Sequence, residues 1–271
     1  MNHDENSLVG VLEHFGRRYV EEFLVANGWE PERLRADWYF ALKFLLWRLY
    51  FQGRRDEISE RFCRAMTSCL DKQFLSEPTA QFEQLADRGA IPTATGWWDV
   101  RDLDRGPLWQ KFDRTMGKGR DREMVLDVLR YIRGLPGHNI VTHTLGEIEA
   151  GRIHDHRQQL MELRGVGEKT SAFYLRDVIF LFDIRLAPDQ LREIQPVDTW
   201  VRQLVAAVVG PDADPAEWLA AQAQAGYNAG LLNAGAWYLG KHSFQLLVSL
   251  LASGELEPAV LERMQREVAH G

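Results

Sequence analysis

The chain has 271 residues, 45% of them apolar and 26% charged, a globular balance that excludes intrinsic disorder, collagen and a continuous coiled coil. Lys and Arg total 32 against 39 Asp and Glu, a net charge of −7 that excludes a uniformly basic coat for nucleic acid. The acidity is local: Asp177–Gly271 holds 12 acids and 6 bases, leaving 27 and 26 in the first 176 residues.

Helical spacing dominates and strand alternation is nearly absent, so the expected class is all-α. In chain order, Trp38, Leu42, Leu45, Leu46, Leu49 and Tyr50 predict a buried helix ending near Gln52-Gly53. An amphipathic helix follows over Asp56–Leu75, with Ile58, Phe62, Met66 and Cys69 on one stripe, and a short one over Gln81–Asp87. Gly89–Gly119, with Trp97, Trp98 and Trp109, reads as an irregular excursion whose tryptophans either stack on a base or anchor it to the core. Seven bases against four acids over Arg101–Arg122 suit a solvated loop or a basic face. A helix over Arg122–Arg133 stops at Gly134-Leu135-Pro136-Gly137. Thr144-Leu145-Gly146-Glu147 has capping-box spacing and predicts a short helix stopping at Gly151. His154–Leu163 and Lys169–Leu181 pair as helices, Val197–Val209 is helical, and Asp214-Pro215 starts another helix leading to Ala225. Leu231–Ala252 is expected to be interrupted near Gly235 or Gly240, and Glu257–Val268 is the last helix.

Cys63 and Cys69, at i and i+6 on one helix, point to different faces and are not expected to pair. Two thiols are too few for a four-thiolate iron–sulfur cluster. His154-Asp155-His156 could suggest metal, but i and i+2 diverge on a helix and a solvated surface is favoured. No secretory leader is evident in MNHDENSLVG, and Trp38–Phe51, broken by Lys43 and Arg48, is too short to span a bilayer. The expectation is a cytoplasmic monomer, nucleoid-associated if prokaryotic, with no membrane.

Leu163-Arg164-Gly165-Val166-Gly167-Glu168-Lys169-Thr170-Ser171-Ala172 is the most specific stretch. Two glycines around Val166 allow a tight hairpin between helices, and the helix that follows offers backbone N–H groups to an anion such as a DNA phosphate. Ser171 and Ala172 let the two helices approach closely. Downstream, Gln195-Pro196-Val197-Asp198 puts a stiff entry and an aspartate at a helix start, where an aspartate is ordinarily an N-cap.

The pairing of Lys169 after the hairpin with P-V-D on the next helix resembles the helix-hairpin-helix glycosylases of base-excision repair, the superfamily of endonuclease III and 8-oxoguanine DNA glycosylase. The resemblance covers Leu163–Val201. It departs in two places: Arg164 stands where the family has proline, and Arg185–Gln195 looks like an insertion. What it implies is an all-α glycosylase fold of two helical subdomains flanking a cleft. The chain would be one unit over 1–271, with one lobe of 38–135 with 138–209 carrying the hairpin, and the other of 1–37 plus 210–271. Gly165, Val166, Gly167 and Thr170 would bind DNA. Leu45–Gln52 is similar to the helix that runs into a glutamine-bearing loop in endonuclease III, making Gln52 either a plug for the gap left by an extruded base or a polar helix end, with Arg54 and Arg55 on phosphates. Asn233–Tyr238 is similar to the segment leading into the last helix of 8-oxoguanine glycosylases, making Trp237 and Tyr238 either base-pocket or plain core aromatics. No cofactor is required, the metal is unknown, and a monovalent cation at the hairpin carbonyls is allowed by the resemblance.

By the same resemblance Asp198 would stabilise positive charge on the sugar as the base leaves, and Lys169, its amine made nucleophilic by burial near a helix N-terminus, would attack C1′. The implied reaction is excision of an oxidised or modified base, an 8-oxoguanine-type purine favoured, from double-stranded DNA, followed by β-elimination. A lysine that merely touches phosphate is the simpler role. The competing functions are a non-catalytic helix-hairpin-helix DNA binder and a small-molecule-binding helical protein.

Overall fold

The computed structural model describes residues 3–51, 56–69 and 119–270. Gln52, Arg54, Arg55, the Gln81–Asp87 helix, the three tryptophans of the excursion and the basic run before Gly119 lie outside the described residues. Among the described residues the secondary structure is helical, with no strand, so the all-α expectation holds there. The chain divides into a terminal unit, residues 1–29 with 176–271, and a central unit, residues 30–175. The expected lobes had placed 30–37 with the termini and 176–209 with the hairpin. Residues 199–208 fall in the terminal unit because they pack on its longest helix.

The terminal unit is built on two helices, α1 (His3–Tyr19) and α11 (Ala229–Ser253). Leu8, Leu12, Phe15 and Tyr19 form a fully buried stripe on α1. This helix, which no sequence signal announced, runs into a π-helical turn over Val20–Val25. Two glycines set the crossing. A Cβ on Gly16 would fall inside the Leu231 carbonyl, and one on Gly235 inside that of Leu12, so the backbones touch at both positions. Gly240 is filled in the same way by the Trp200 ring, which lies 5.5 Å from Phe244. The interruption expected at Gly235 or Gly240 is absent there. Both glycines stay helical because they serve close approach, and the break comes at Ser243, φ −156°.

In the central unit, α2 (Pro31–Ala36) leads to α3 (Trp38–Leu49), capped by Asp37 through the Tyr39 and Phe40 amides. Next come α4 (Asp56–Cys69) and α5 (Gly119–Arg133). The Cys63 thiol on α4 is buried, which pushes its pKa up to about 12. Helix α6 (Ile140–Glu149) starts five residues earlier than its capping-box pattern suggested. Asn139 is the true cap, accepting from Thr142 N–H while its amide donates to the Leu34 and Arg35 carbonyls.

Thr144 is therefore interior, and its side chain is the centre of a buried cluster with α7 (Ile153–Glu162) and α8 (Glu168–Leu181). The Thr144 hydroxyl donates to the Ile140 carbonyl at 2.8 Å, and Oγ1 lies 2.9 Å from both His156 Nε2 and Tyr174 OH. A carbonyl can only accept, so the single hydroxyl hydrogen goes to Ile140 and Oγ1 accepts from both rings. His156, expected on a solvated surface, is fully buried.

Burial, with His143 beside it, lowers the His156 pKa to about 4 from an unfolded value of 6.5. Between these values the unfolded chain holds a proton that the native ring refuses, so stability falls as pH drops through that window. From pH 7.5 to pH 5 this group should cost about 2 kcal/mol, read by denaturant titration, and His156→Gln should remove that part of the slope.

Candidate functional site

The hairpin between α7 and α8 lies in the central unit. Leu163 ends α7 in an extended conformation, and Val166 N–H donates back to the Leu163 carbonyl at 3.0 Å. Gly165 closes the turn at φ +78°, which a side chain rarely adopts. Arg164, in the proline position of the resemblance, uses the N–H that proline lacks. It donates to Asp127 Oδ2 at 3.1 Å, and the Arg164 guanidinium lies 3.5 Å from the same oxygen. Asp127 is buried on α5, so this departure ties the hairpin to a neighbouring helix.

Gly167 has neither a positive φ nor any atom within 4 Å of where a Cβ would stand. Packing does not require glycine there, and its effect is to leave backbone uncovered on an open side. Its N–H is turned inward, to Thr170 Oγ1 at 3.1 Å. Thr170 is buried and its hydroxyl works inside the hairpin, so it braces the turn and does not present a side chain outward. The buried Val166 side chain does the same by packing. Ser171 and Ala172 are fully buried, the close helix approach that small residues permit, with the Ser171 hydroxyl 3.0 Å from the Gly167 carbonyl. Ser171 N–H also donates to that carbonyl. Lys169 stands half-buried in the first turn of α8.

Asp198 belongs to the terminal unit. It is the N-cap of α9 (Thr199–Val208) and is 8% exposed. One carboxylate oxygen, Oδ1, accepts from both Trp200 N–H (2.9 Å) and Val201 N–H (3.0 Å), which fixes the orientation of the group.

Trp237 and Tyr238 lie on α11 among aromatic neighbours. Trp237 meets Tyr19 and Phe23 edge-on at 5.5 and 5.4 Å, and Tyr238 lies 5.6 Å from Phe15. The Tyr238 hydroxyl donates to Glu22 Oε2 at 2.9 Å, and burial pushes its pKa up to about 12. These are packing contacts of the kind a core aromatic makes.

Two features of the terminal unit were missed by sequence reasoning. The segment taken as an insertion contains a 3-10 helix over Pro188–Ile194, which walls a cavity of about 760 Å³ also bordered by Arg17, Phe180, Arg185 and Tyr227. That volume suits a small organic molecule. The second is a buried polar chain. Arg176, 1% exposed, donates through Nε and Nη2 to Asp177 Oδ1, while Tyr19 OH donates to Asp177 Oδ2 at 2.8 Å. Arg176 Nη1 donates to Asn233 Oδ1 at 2.9 Å, and Asn233 Nδ2 donates to the Pro196 carbonyl at 3.3 Å. The available signal was three polar residues inside apolar helical runs.

Among the described residues no three His, Cys, Asp or Glu side chains converge as a metal site, and no helix is long and apolar enough to cross a membrane. No family model, curated protein or solved structure matches the chain.

Proposed function

We propose that the chain is a base-excision DNA glycosylase with an associated β-elimination lyase activity, acting as a monomer on double-stranded DNA that carries an oxidised or otherwise modified base. The observation that carries this reading is the hairpin: a positive-φ Gly165, an uncovered Gly167 that packing does not require, and a lysine in the first turn beyond it. Bare backbone at a helix start suits the close approach of a phosphate, and a grip on a few phosphates needs no net positive chain. The modified base is rotated out of the stack before reaction. The Asp198 carboxylate stabilises positive charge on the sugar as the C1′–N bond weakens. The Lys169 amine attacks C1′, and the base departs with the bonding pair and is protonated; the amine then loses a proton, its lone pair breaks the C1′–O4′ bond, O4′ takes up a proton, and the opened sugar is held as a Schiff base on Lys169. Removal of a C2′ proton then expels the 3′ phosphate and nicks the strand. An 8-oxoguanine-type purine is the favoured substrate by resemblance at Asn233–Tyr238. No step passes through a metal ion, and the Gly167 carbonyl already accepts from Ser171 N–H.

A second reading has its own support. The two amide bonds to Asp198 account for that residue as an N-cap with no chemistry, which fits a non-catalytic hairpin module that only clamps phosphates. The two separate on a set of duplexes, each with one modified base, followed by mass spectrometry for free base and by gel for strand nicking. Free base plus a nick from at least one duplex supports the enzyme. Binding of every duplex with no free base from any supports the clamp. Binding in either case should weaken steeply with salt, since phosphate contacts release counterions.

A further inference from the structure

We infer that Asn233 is a positioning residue for Asp198, acting through the Pro196 carbonyl; this rests on the reading of Asp198 above. Residues 195–198 have no regular secondary structure, so the backbone leading to the carboxylate needs outside support. Two sets of hydrogen bonds supply it. At one end the Asp198 carboxylate caps the Trp200 and Val201 amides. At the other the fully buried Asn233 amide donates to the Pro196 carbonyl. Proline has no N–H, so that carbonyl is the only backbone hydrogen-bonding group by which residue 196 can be held.

The direction of the amide is fixed by its other neighbour. A guanidinium carries only donors, so Asn233 must turn Oδ1 toward Arg176 Nη1 and its NH2 group toward Pro196. Arg176 in turn is held by Asp177, and Asp177 by Tyr19. The chain Tyr19–Asp177–Arg176–Asn233–Pro196 is buried and lies wholly within the terminal unit, so a rigid core sets where the entry to α9 sits.

Asn233→Asp isolates one link. It is nearly isosteric, leaves an acceptor for Arg176, and replaces the donor facing Pro196 with an oxygen that repels the carbonyl. Hydrogen exchange of the Trp200 and Val201 amides, single-turnover base release and duplex Kd are compared with wild type at neutral pH. Positioning predicts about tenfold faster exchange confined to the start of α9 and about tenfold slower base release, with duplex Kd within about twofold. Unchanged exchange at both amides overturns it, as does exchange that rises throughout the terminal unit, or faster local exchange with unaltered base release. If wild type releases no base but the local exchange still rises, the activity reading fails and the positioning of Asp198 stands. Should Asn233→Asp not fold, Pro196→Gly leaves the Arg176–Asn233 contact intact, frees the backbone at 196, and is read at the same amides with the same opposed outcomes.

Discussion

Asp198→Asn should abolish base release while leaving the fold and DNA binding in place. Asparagine caps a helix about as well as aspartate, and its side-chain oxygen can accept from the Trp200 and Val201 amides as the carboxylate does. Stability should therefore change by about 0.5 kcal/mol or less. What disappears is the negative charge beside the developing oxocarbenium, and removal of one preorganised electrostatic group of this kind costs about 10²–10³ in rate. Asp198→Ala removes the cap as well and should lose about 1 kcal/mol of stability in addition. Single-turnover base release, gel-shift affinity and thermal melts measured together separate charge from cap. Normal excision by the asparagine variant would remove Asp198 from the chemistry and leave it as a cap alone.

The second large effect is structural. Gly16→Ala and Gly235→Ala each place a methyl group where a backbone carbonyl already stands, on Leu231 and Leu12 respectively. Backbone cannot rotate aside as a side-chain tip can, so α1 and α11 must separate and expose the Leu8–Tyr19 stripe. A loss of roughly 3 kcal/mol or more is expected for each. Gly10→Ala on the same helix is the control, because nothing lies within 4 Å of its Cβ position. It should be neutral or stabilising by up to about 1 kcal/mol, since alanine favours a helix interior over glycine. Urea unfolding of the three variants tests the contrast, and equal losses at all three positions would contradict the close helix crossing.

These predictions divide between what the sequence made legible and what it hid, and the division follows the range of the interactions. Caps are local. Asp214, the cap of α10 (Pro215–Gln224), and Asp198 each reach amides two and three residues on, and both helix starts were readable from the chain. The glycine hairpin is local in the same sense, and even its departure at Arg164 was visible, although the Asp127 that receives its N–H lies 37 residues away. The misreadings come from long-range partners. Thr144 looked like a helix start because its capping spacing was intact. Asn139 had already capped that helix, using an amide that also binds carbonyls more than 100 residues earlier in the chain. Gly235 and Gly240 looked like interruptions because the Leu12 and Trp200 that occupy their missing side chains are distant in sequence.

The candidate site follows the same rule. Lys169 and Asp198 were legible as residues at helix starts, and each is found in the first turn or cap of a helix. Asn233 was read only as part of a resemblance to a C-terminal segment. Its bonds to Arg176 and Pro196 span 57 and 37 residues, and no periodicity announces them. His156 was misjudged because its neighbours Asp155 and His154 are exposed, while burial of the ring is decided by Thr144 and Tyr174 on other helices.

The covalent role of Lys169 is the step on which the glycosylase-lyase assignment depends. Duplexes carrying single modified bases, 8-oxoguanine among them, are incubated with the protein and sodium borohydride, and the products are resolved by denaturing electrophoresis. A Schiff base reduced in place should appear as a protein–DNA adduct on at least one lesion, absent with undamaged duplex and lost in Lys169→Gln. An adduct that persists undiminished in Lys169→Gln, or none on any lesion while free base is also absent, would contradict the glycosylase-lyase assignment.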